Sequence, residues 1–225
     1  MRTRTIAALA TLPLLAVTLP AAAGSHLWRF SEIFSNADGS VMFIELVECC
    51  GAPNETQIAN KDISSAATGM QFLFPAHLPC SNCTANERLL LATQSFADLA
   101  GAPTPDYIIE PQFFGLDGDT LTYWLYAGAT WTYGADMVPV DGIKSLDRSG
   151  LAGVNSPTNF AGETGSVTAP CRRSDLDISG NVDVGDLLEV LGTWGPCAAC
   201  NADLDESGGV DVTDLLQVLA EWGSC

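Results

Sequence analysis

Two apolar rhythms divide the chain. Up to about Tyr133, hydrophobic positions come in short runs with a period near two, broken by Gly, Pro, Asn and Asp. That rhythm predicts strands with one face turned inward. Residues 27–34 and 40–47 flank Asn36-Ala-Asp-Gly39, a turn signal that predicts a hairpin. Further strands are expected at 57–60, 70–74, 89–92, 107–109, 121–126 and 130–133, the last two joined around Ala127-Gly128-Ala129. Residues 95–100 read as a short helical turn. From Leu187 the period changes. Leu187, Val190, Leu191 and Trp194 recur at helical steps, and Leu215, Val218, Leu219 and Trp222 repeat the pattern. Each run predicts a short amphipathic helix closed by Gly195 or Gly223 in a left-handed cap. Neither helix is long enough to stand alone, so the two apolar stripes are expected to face each other.

The ends of the chain set the domain organisation. Residues 1–23 read as a secretory signal: Arg2 and Arg4, an apolar stretch too short to span a bilayer, then Ala21-Ala22-Ala23. The mature chain is expected to begin near Gly24 and to act outside the cell without membrane insertion. Residues 24–169 are expected to form one β-sandwich domain. Pro157, residues 162–165 and Pro170 predict a flexible linker, followed by a small module at 170–225.

That module repeats itself. Asp175-Leu-Asp-Ile-Ser-Gly-Asn-Val-Asp-Val-Gly-Asp186 is matched 28 residues later by Asp203-Leu-Asp-Glu-Ser-Gly-Gly-Val-Asp-Val-Thr-Asp214. Oxygen-bearing side chains fall at positions 1, 3, 5, 9 and 12, and Gly falls at 6, the layout of an EF-hand calcium loop. The candidate ligands are Asp175, Asp177, Ser179, the Asn181 carbonyl, Asp183 and Asp186. In the second loop they are Asp203, Asp205, Ser207, the Gly209 carbonyl, Asp211 and Asp214. Position 9 often acts through a water. Two calcium ions are expected, because clustered carboxylates repel by about 4 kcal/mol per pair at ~4 Å with an effective dielectric of ~20. No amphipathic helix precedes either loop, so each copy is half an EF-hand.

The doubled loop–helix pattern resembles a type I dockerin, a module by which secreted bacterial proteins dock onto a cohesin. The resemblance implies two bound calcium ions, a pseudo-two-fold helix pair and a protein partner. Many dockerins carry Ser-Thr at loop positions 10 and 11; here those positions are Val184-Gly185 and Val212-Thr213. In the first domain, Phe43-Ile-Glu-Leu46, Phe72-Leu-Phe-Pro75 and Leu89-Leu-Leu-Ala-Thr93 running into Phe96-Ala-Asp-Leu99 are similar to the lamin-tail-like domain. That family implies an immunoglobulin-like β-sandwich with a binding or architectural role. The expected fold is therefore mainly β, an immunoglobulin-like sandwich followed by a small all-α calcium-binding module of two loop–helix repeats.

Charge and cysteines refine this picture. The formal charge is −18: −9 in residues 171–225, −11 in 24–170 and +2 from Arg2 and Arg4. Such a chain is a poor match for nucleic acid or an anionic membrane surface. Eight cysteines in an exported chain predict disulfides. If the two halves pack antiparallel, Cys171–Cys225 is favoured as a clasp with Cys197–Cys200 across the linker. Cys171–Cys197 with Cys200–Cys225 is the alternative. Cys49, Cys50, Cys80 and Cys83 are read as structural disulfide cysteines with their pairing open.

No catalytic constellation stands out, and His26 and His77 read as surface residues. The expected function is that of a secreted, non-catalytic calcium-binding protein. Its dockerin-like module would attach a β-sandwich binding domain to an extracellular or cell-surface protein, a cohesin being the family's partner. The alternative is a polysaccharide-degrading glycoside hydrolase component or a glycan-binding one. Its carboxylates would come from Glu45, Glu48, Glu110, Asp117 or Asp119, and its sugar-binding face from Trp28, Trp124, Tyr126, Trp131 and Tyr133. Asp117, Asp119 and Asp141 are a weaker candidate for a further calcium.

Overall fold

A computed structural model describes residues 24–126, 128–197, 200–205 and 207–224. The expected signal segment and Cys225 lie outside the described residues.

The chain opens with a hairpin. β1 (Trp28–Ser35) and β2 (Met42–Glu48) pair antiparallel, with a bulge between Phe30 and Glu32. The turn between them is built by its own side chains: Asn36 Oδ1 accepts the Val41 N–H at 3.0 Å, Asp38 Oδ1 accepts the Ser40 N–H at 2.8 Å, and Gly39 takes a φ of 72°. β3 (Asp62–Ser65), β4 (Gln71–Leu73) and β5 (Arg88–Ala92) follow, then the one-turn helix α1 (Gln94–Ala97) capped by Thr93. Next come β6 (Tyr107–Ile108), β7 (Asp119–Tyr123), β8 (Thr130–Tyr133), β9 (Lys144–Asp147) and β10 (Ala152–Val154).

These strands make a six-stranded sheet in the order β10-β9-β1-β2-β5-β6 and a four-stranded sheet in the order β4-β3-β7-β8. The main core lies between them, where Phe30, Ile44, Leu46 and Leu91 meet Ile63, Leu121, Tyr123 and Trp131. The six-stranded sheet is buried on its other face too. There Phe34, Phe43, Leu90 and Ala92 pack against Phe96, Val167 and Ala169. This double burial explains why β2 and β5 are nearly continuous apolar runs rather than clean alternations. Each such side chain contributes about 1.5–3 kcal/mol on burial.

Several expectations need correction. The stretch 57–60 is not a strand; the chain enters β3 only at Asp62. β9 and β10 were not predicted, because Lys144-Ser-Leu-Asp147 and Ala152-Gly-Val154 carry little apolar signal. The immunoglobulin-like arrangement is also not what forms. In place of four- and three-stranded sheets, the sheets have six and four strands, and the edge strand β6 runs parallel to β5. Residues 155–169 are no loose linker. They form a strap across the six-stranded sheet, and alternate N–H groups on it donate to side-chain carboxylates: Ser156 to Glu32 Oε1 (2.8 Å), Thr158 to Glu45 Oε2 (2.9 Å) and Phe160 to Asp106 Oδ2 (2.9 Å). Asn155 then pins the strap to itself, donating to the Val167 carbonyl and accepting its N–H, each at 2.8 Å.

The C-terminal segment is not an all-α module. Helix is confined to α2 (Val184–Gly192) and α3 (Val212–Ala220), and the rest is loop and short strand. β11 (Asn181–Val182) pairs with β14 (Gly223–Ser224), and β12 (Gly195–Pro196) with β13 (Gly209–Val210). The end of each copy is thus stitched to the loop of the other. Gly195 and Gly223 take φ of 118° and 130° within these strand pairs; the helix C-caps are Thr193 and Glu221. The small core holds Val182, Val190, Ala202, Leu204, Val210 and Val218, with Leu187 and Leu215 packed on it. The stripes face each other only in part, since Leu191, Trp194, Leu219 and Trp222 remain 48–50% exposed.

Candidate metal centres in the C-terminal repeat

Each copy gathers its first, third and twelfth residues. Carboxylate oxygens of Asp175, Asp177 and Asp186 lie within 4.8 Å of one another, and so do those of Asp203, Asp205 and Asp214. The first and twelfth residues are buried and the third is exposed, in both copies. The loops hold these groups with the same bonds. The Ser179 N–H donates to Asp175 Oδ1 (2.9 Å) and Asp177 Oδ1 (3.1 Å); the Ser207 N–H donates to Asp203 Oδ1 (3.0 Å) and Asp205 Oδ1 (3.1 Å). Gly180 and Gly208, at φ of 83° and 91°, turn the chain so that their own N–H groups reach Asp175 and Asp203.

The closing aspartates work twice. Asp186 accepts the Leu176 N–H (2.6 Å) and the Asp183 N–H (2.7 Å), and Asp214 accepts those of Leu204 (2.6 Å) and Asp211 (2.8 Å). Each therefore ties the loop's start to its end. Each is also the N3 residue of a capping box whose N-cap is Asp183 or Asp211. Asp183 and Asp211 aim at the helix N–H groups of Gly185 (2.8 Å) and Thr213 (2.7 Å), and neither belongs to a cluster. At positions 5 and 7, the Ser179 hydroxyl donates to the Asn181 carbonyl and the Ser207 hydroxyl to the Gly209 carbonyl, both at 3.1 Å. Those oxygens lie side by side in each loop.

The electrostatics of the two copies differ. Burial pushes the Asp175 carboxyl above its usual range, against N–H groups of Cys171, Gly180 and Ser179, and the charge of Asp186 adds to the rise. Burial also raises Asp214, but the N–H groups of Asp211, Leu204 and Asp205 outweigh it and hold that carboxyl below its usual range. Every side-chain donor in the clusters is a hard oxygen, which suits hard cations and not soft ones. Each cluster could hold a metal ion.

The other candidate residues are scattered. Among the described residues, Cys49 is bonded to Cys50, Cys80 to Cys83, and Cys197 to Cys200 rather than to Cys171. Cys171 is buried and disulfide-bonded; the expected clasp to Cys225 reaches beyond the described residues. Glu45 is fully buried, paired with Arg88 and hydrogen-bonded to Ser31 and Thr158. Burial raises its carboxyl, partly offset by Ser31 and Arg88. Glu48 is buried and holds the Cys50 and Asn86 N–H groups, while Glu110 is exposed. Asp119 accepts bonds from Ser65 and from the Ala67 and Gly115 N–H groups, and Asp141 from Ile143 and Lys144; among the described residues neither is gathered with Asp117 in a metal-suited cluster. Trp28, Trp131 and Tyr133 belong to the core; Trp124 lies at φ 50° with Lys61 4.6 Å from its ring centre. His26 sits 3.4 Å from Glu55, and His77 accepts the Ala59 N–H. The carboxylates of the strap, Glu32, Glu45 and Asp106, were not expected as a set; they come from three separate stretches with no shared motif.

No family model matches this chain, and neither does any curated protein or solved structure. The dockerin and lamin-tail resemblances therefore rest on the residues that carry them.

Proposed function

We propose that this is an exported, non-catalytic calcium-binding protein whose dockerin-like C-terminal repeat attaches the two-sheet domain to an extracellular or cell-surface protein. The observation that carries the reading is the pair of equivalent three-carboxylate clusters, each cradled by the same N–H groups. Asp175, Asp177 and Asp186 would hold one ion, and Asp203, Asp205 and Asp214 the other. The serine hydroxyls and the position 7 carbonyls would complete each set, with Asp183 and Asp211 acting through water. Bound calcium would neutralise the clustered charge and couple metal binding to the folding of the segment. The half-exposed Trp194, Leu191, Trp222 and Leu219 supply apolar surface for a partner. A cohesin is the candidate that the resemblance names.

Calorimetric titration of the oxidised protein with calcium tests this. Two equivalents of uptake are expected, falling to one in Asp177→Asn or Asp205→Asn. No uptake, or a single equivalent in the unaltered protein, overturns the reading.

A further inference from the structure

The two-sheet domain carries a cationic feature that the calcium reading does not use. An open groove of about 690 Å3, within the size range of ligand sites, is lined by Arg29, Ser31, Glu48, Cys49, Asn86 and Arg148. Arg29 stands at the start of β1 and Arg148 just after β9, yet both guanidiniums converge on Gly128. A Cβ placed on Gly128 would lie 3.8 Å from Arg29 Nε and 3.9 Å from Arg29 Nη2. Arg148 Nη2 donates to the Gly128 carbonyl at 3.4 Å and to the Thr130 carbonyl at 2.8 Å. The two charges feel each other: burial depresses the Arg148 guanidinium, and the charge of Arg29 depresses it further.

Neither arginine has a carboxylate partner among the described residues, whose ion pairs are His26–Glu55, Arg88–Glu45 and Lys144–Asp141. Two acids do line the groove, but their own loops hold them. Glu48 receives the Cys50 N–H (3.0 Å) and the Asn86 N–H (2.9 Å). Asp147 Oδ1 receives the Ser149 N–H (2.8 Å), the Ser149 hydroxyl (2.6 Å) and the Leu151 N–H (3.0 Å). Among the described residues the two guanidiniums bond only to carbonyls, Arg29 to those of His26 and Trp28 and Arg148 to those of Gly128 and Thr130, which leaves their charge available to an anion. Their planar forks match the two oxygens of a carboxylate.

One wall of the groove narrows the ligand further. Cys49 lines the groove with Asn86 and is held in a disulfide to its neighbour Cys50, so its exposed sulfur presents a fixed, polarisable and weakly polar surface there. Such a wall suits the apolar face of a sugar ring. We propose that the groove binds a uronate, a sugar ring carrying a carboxylate, with the carboxylate on Arg29 and Arg148 and the ring against the disulfide-bonded Cys49.

The test is titration of the full, oxidised, calcium-loaded chain with sodium D-glucuronate, followed by calorimetry and by amide chemical shifts near Gly128 and Cys50. D-glucose and sodium acetate serve as the neutral-sugar and bare-carboxylate arms. Saturable glucuronate binding is expected, weakened by salt and absent with glucose and acetate. Arg29→Gln should lower the affinity by about tenfold or more, the equivalent of one lost charge-assisted bond. Arg29→Lys should restore only part of it, since the charge returns without the fork. Arg148→Gln also removes a contact to β8, so Arg29→Gln decides the matter if that variant unfolds. No binding, equal binding of glucose or acetate, or undiminished affinity in Arg29→Gln overturns the proposal. Loss of both calcium clusters would leave this result unchanged, so the two readings fail separately.

Discussion

Glu45 shows how much one buried group can carry. Its carboxylate lies under the strap and receives the Ser31 hydroxyl, the Thr158 N–H and Arg88, which is itself 39% exposed in its side chain. Glu45→Ala would strip the Thr158 N–H and Arg88 of their acceptor, while the Ser31 hydroxyl keeps the backbone carbonyl of residue 45 at 3.1 Å, and we expect a loss of about 1–3 kcal/mol in urea unfolding. Glu45→Gln keeps one acceptor and should cost less. Burial raises the carboxyls of both Glu45 and Asp106 above ordinary values of 4.5 and 3.8. The stability they contribute is fully present below those values and is lost as pH rises through the higher folded ones. Compared with a Glu45→Gln/Asp106→Asn double variant, the unaltered protein should therefore lose ground as pH is raised from about 4 toward neutrality. A constant difference across that range would argue that these groups titrate normally in the fold. None of this was legible beforehand: Glu45 reads as one face of a strand, and only the packed strap gives it partners.

At the scale of elements, the repeat was the most readable part of the chain and the strap the least. A 28-residue offset with the same Asp, Ser and Gly positions places both loops and both helices, because local turns and caps need only near neighbours. Position 9 illustrates the limit. The loop pattern makes Asp183 a ligand candidate, yet its oxygen is turned to the N–H of Gly185 as a helix cap. Asp183→Ala should thus destabilise α2 by about 1 kcal/mol while calcium uptake stays at two equivalents. A drop to one equivalent would make Asp183 a true ligand. The two-residue strand pairs β11–β14 and β12–β13 have no period to detect, so the expected all-α module gave way to a stitched one. Residues 155–169 failed for another reason. Pro and Gly there read as looseness, whereas three carboxylates and Val167 and Ala169 hold that segment on the sheet.

For the whole molecule, bonds among the described residues that join the two parts include the Ala37 N–H to the Cys171 carbonyl (2.7 Å), Asn36 Nδ2 to the Pro170 carbonyl (3.1 Å) and the Arg173 N–H to Asp38 Oδ2 (2.9 Å), and each part has its own core. Calcium removal should therefore act on one part. In calorimetry, a chelator is expected to lower or abolish the transition of residues 170–225 and to leave the two-sheet transition in place. A single transition shifted as a whole would mean that the parts unfold together. The duplicated acidic loops, the helices after them, the first hairpin and the mainly β character follow from the order of residues alone, since each depends on residues close in the chain. The six-and-four sheet order, the strap and its buried acids, the stitching of the two repeats and the meeting of Arg29 with Arg148 emerge only from the packed fold. Those contacts join residues far apart in sequence, and no local period or motif records which distant partner a side chain will find.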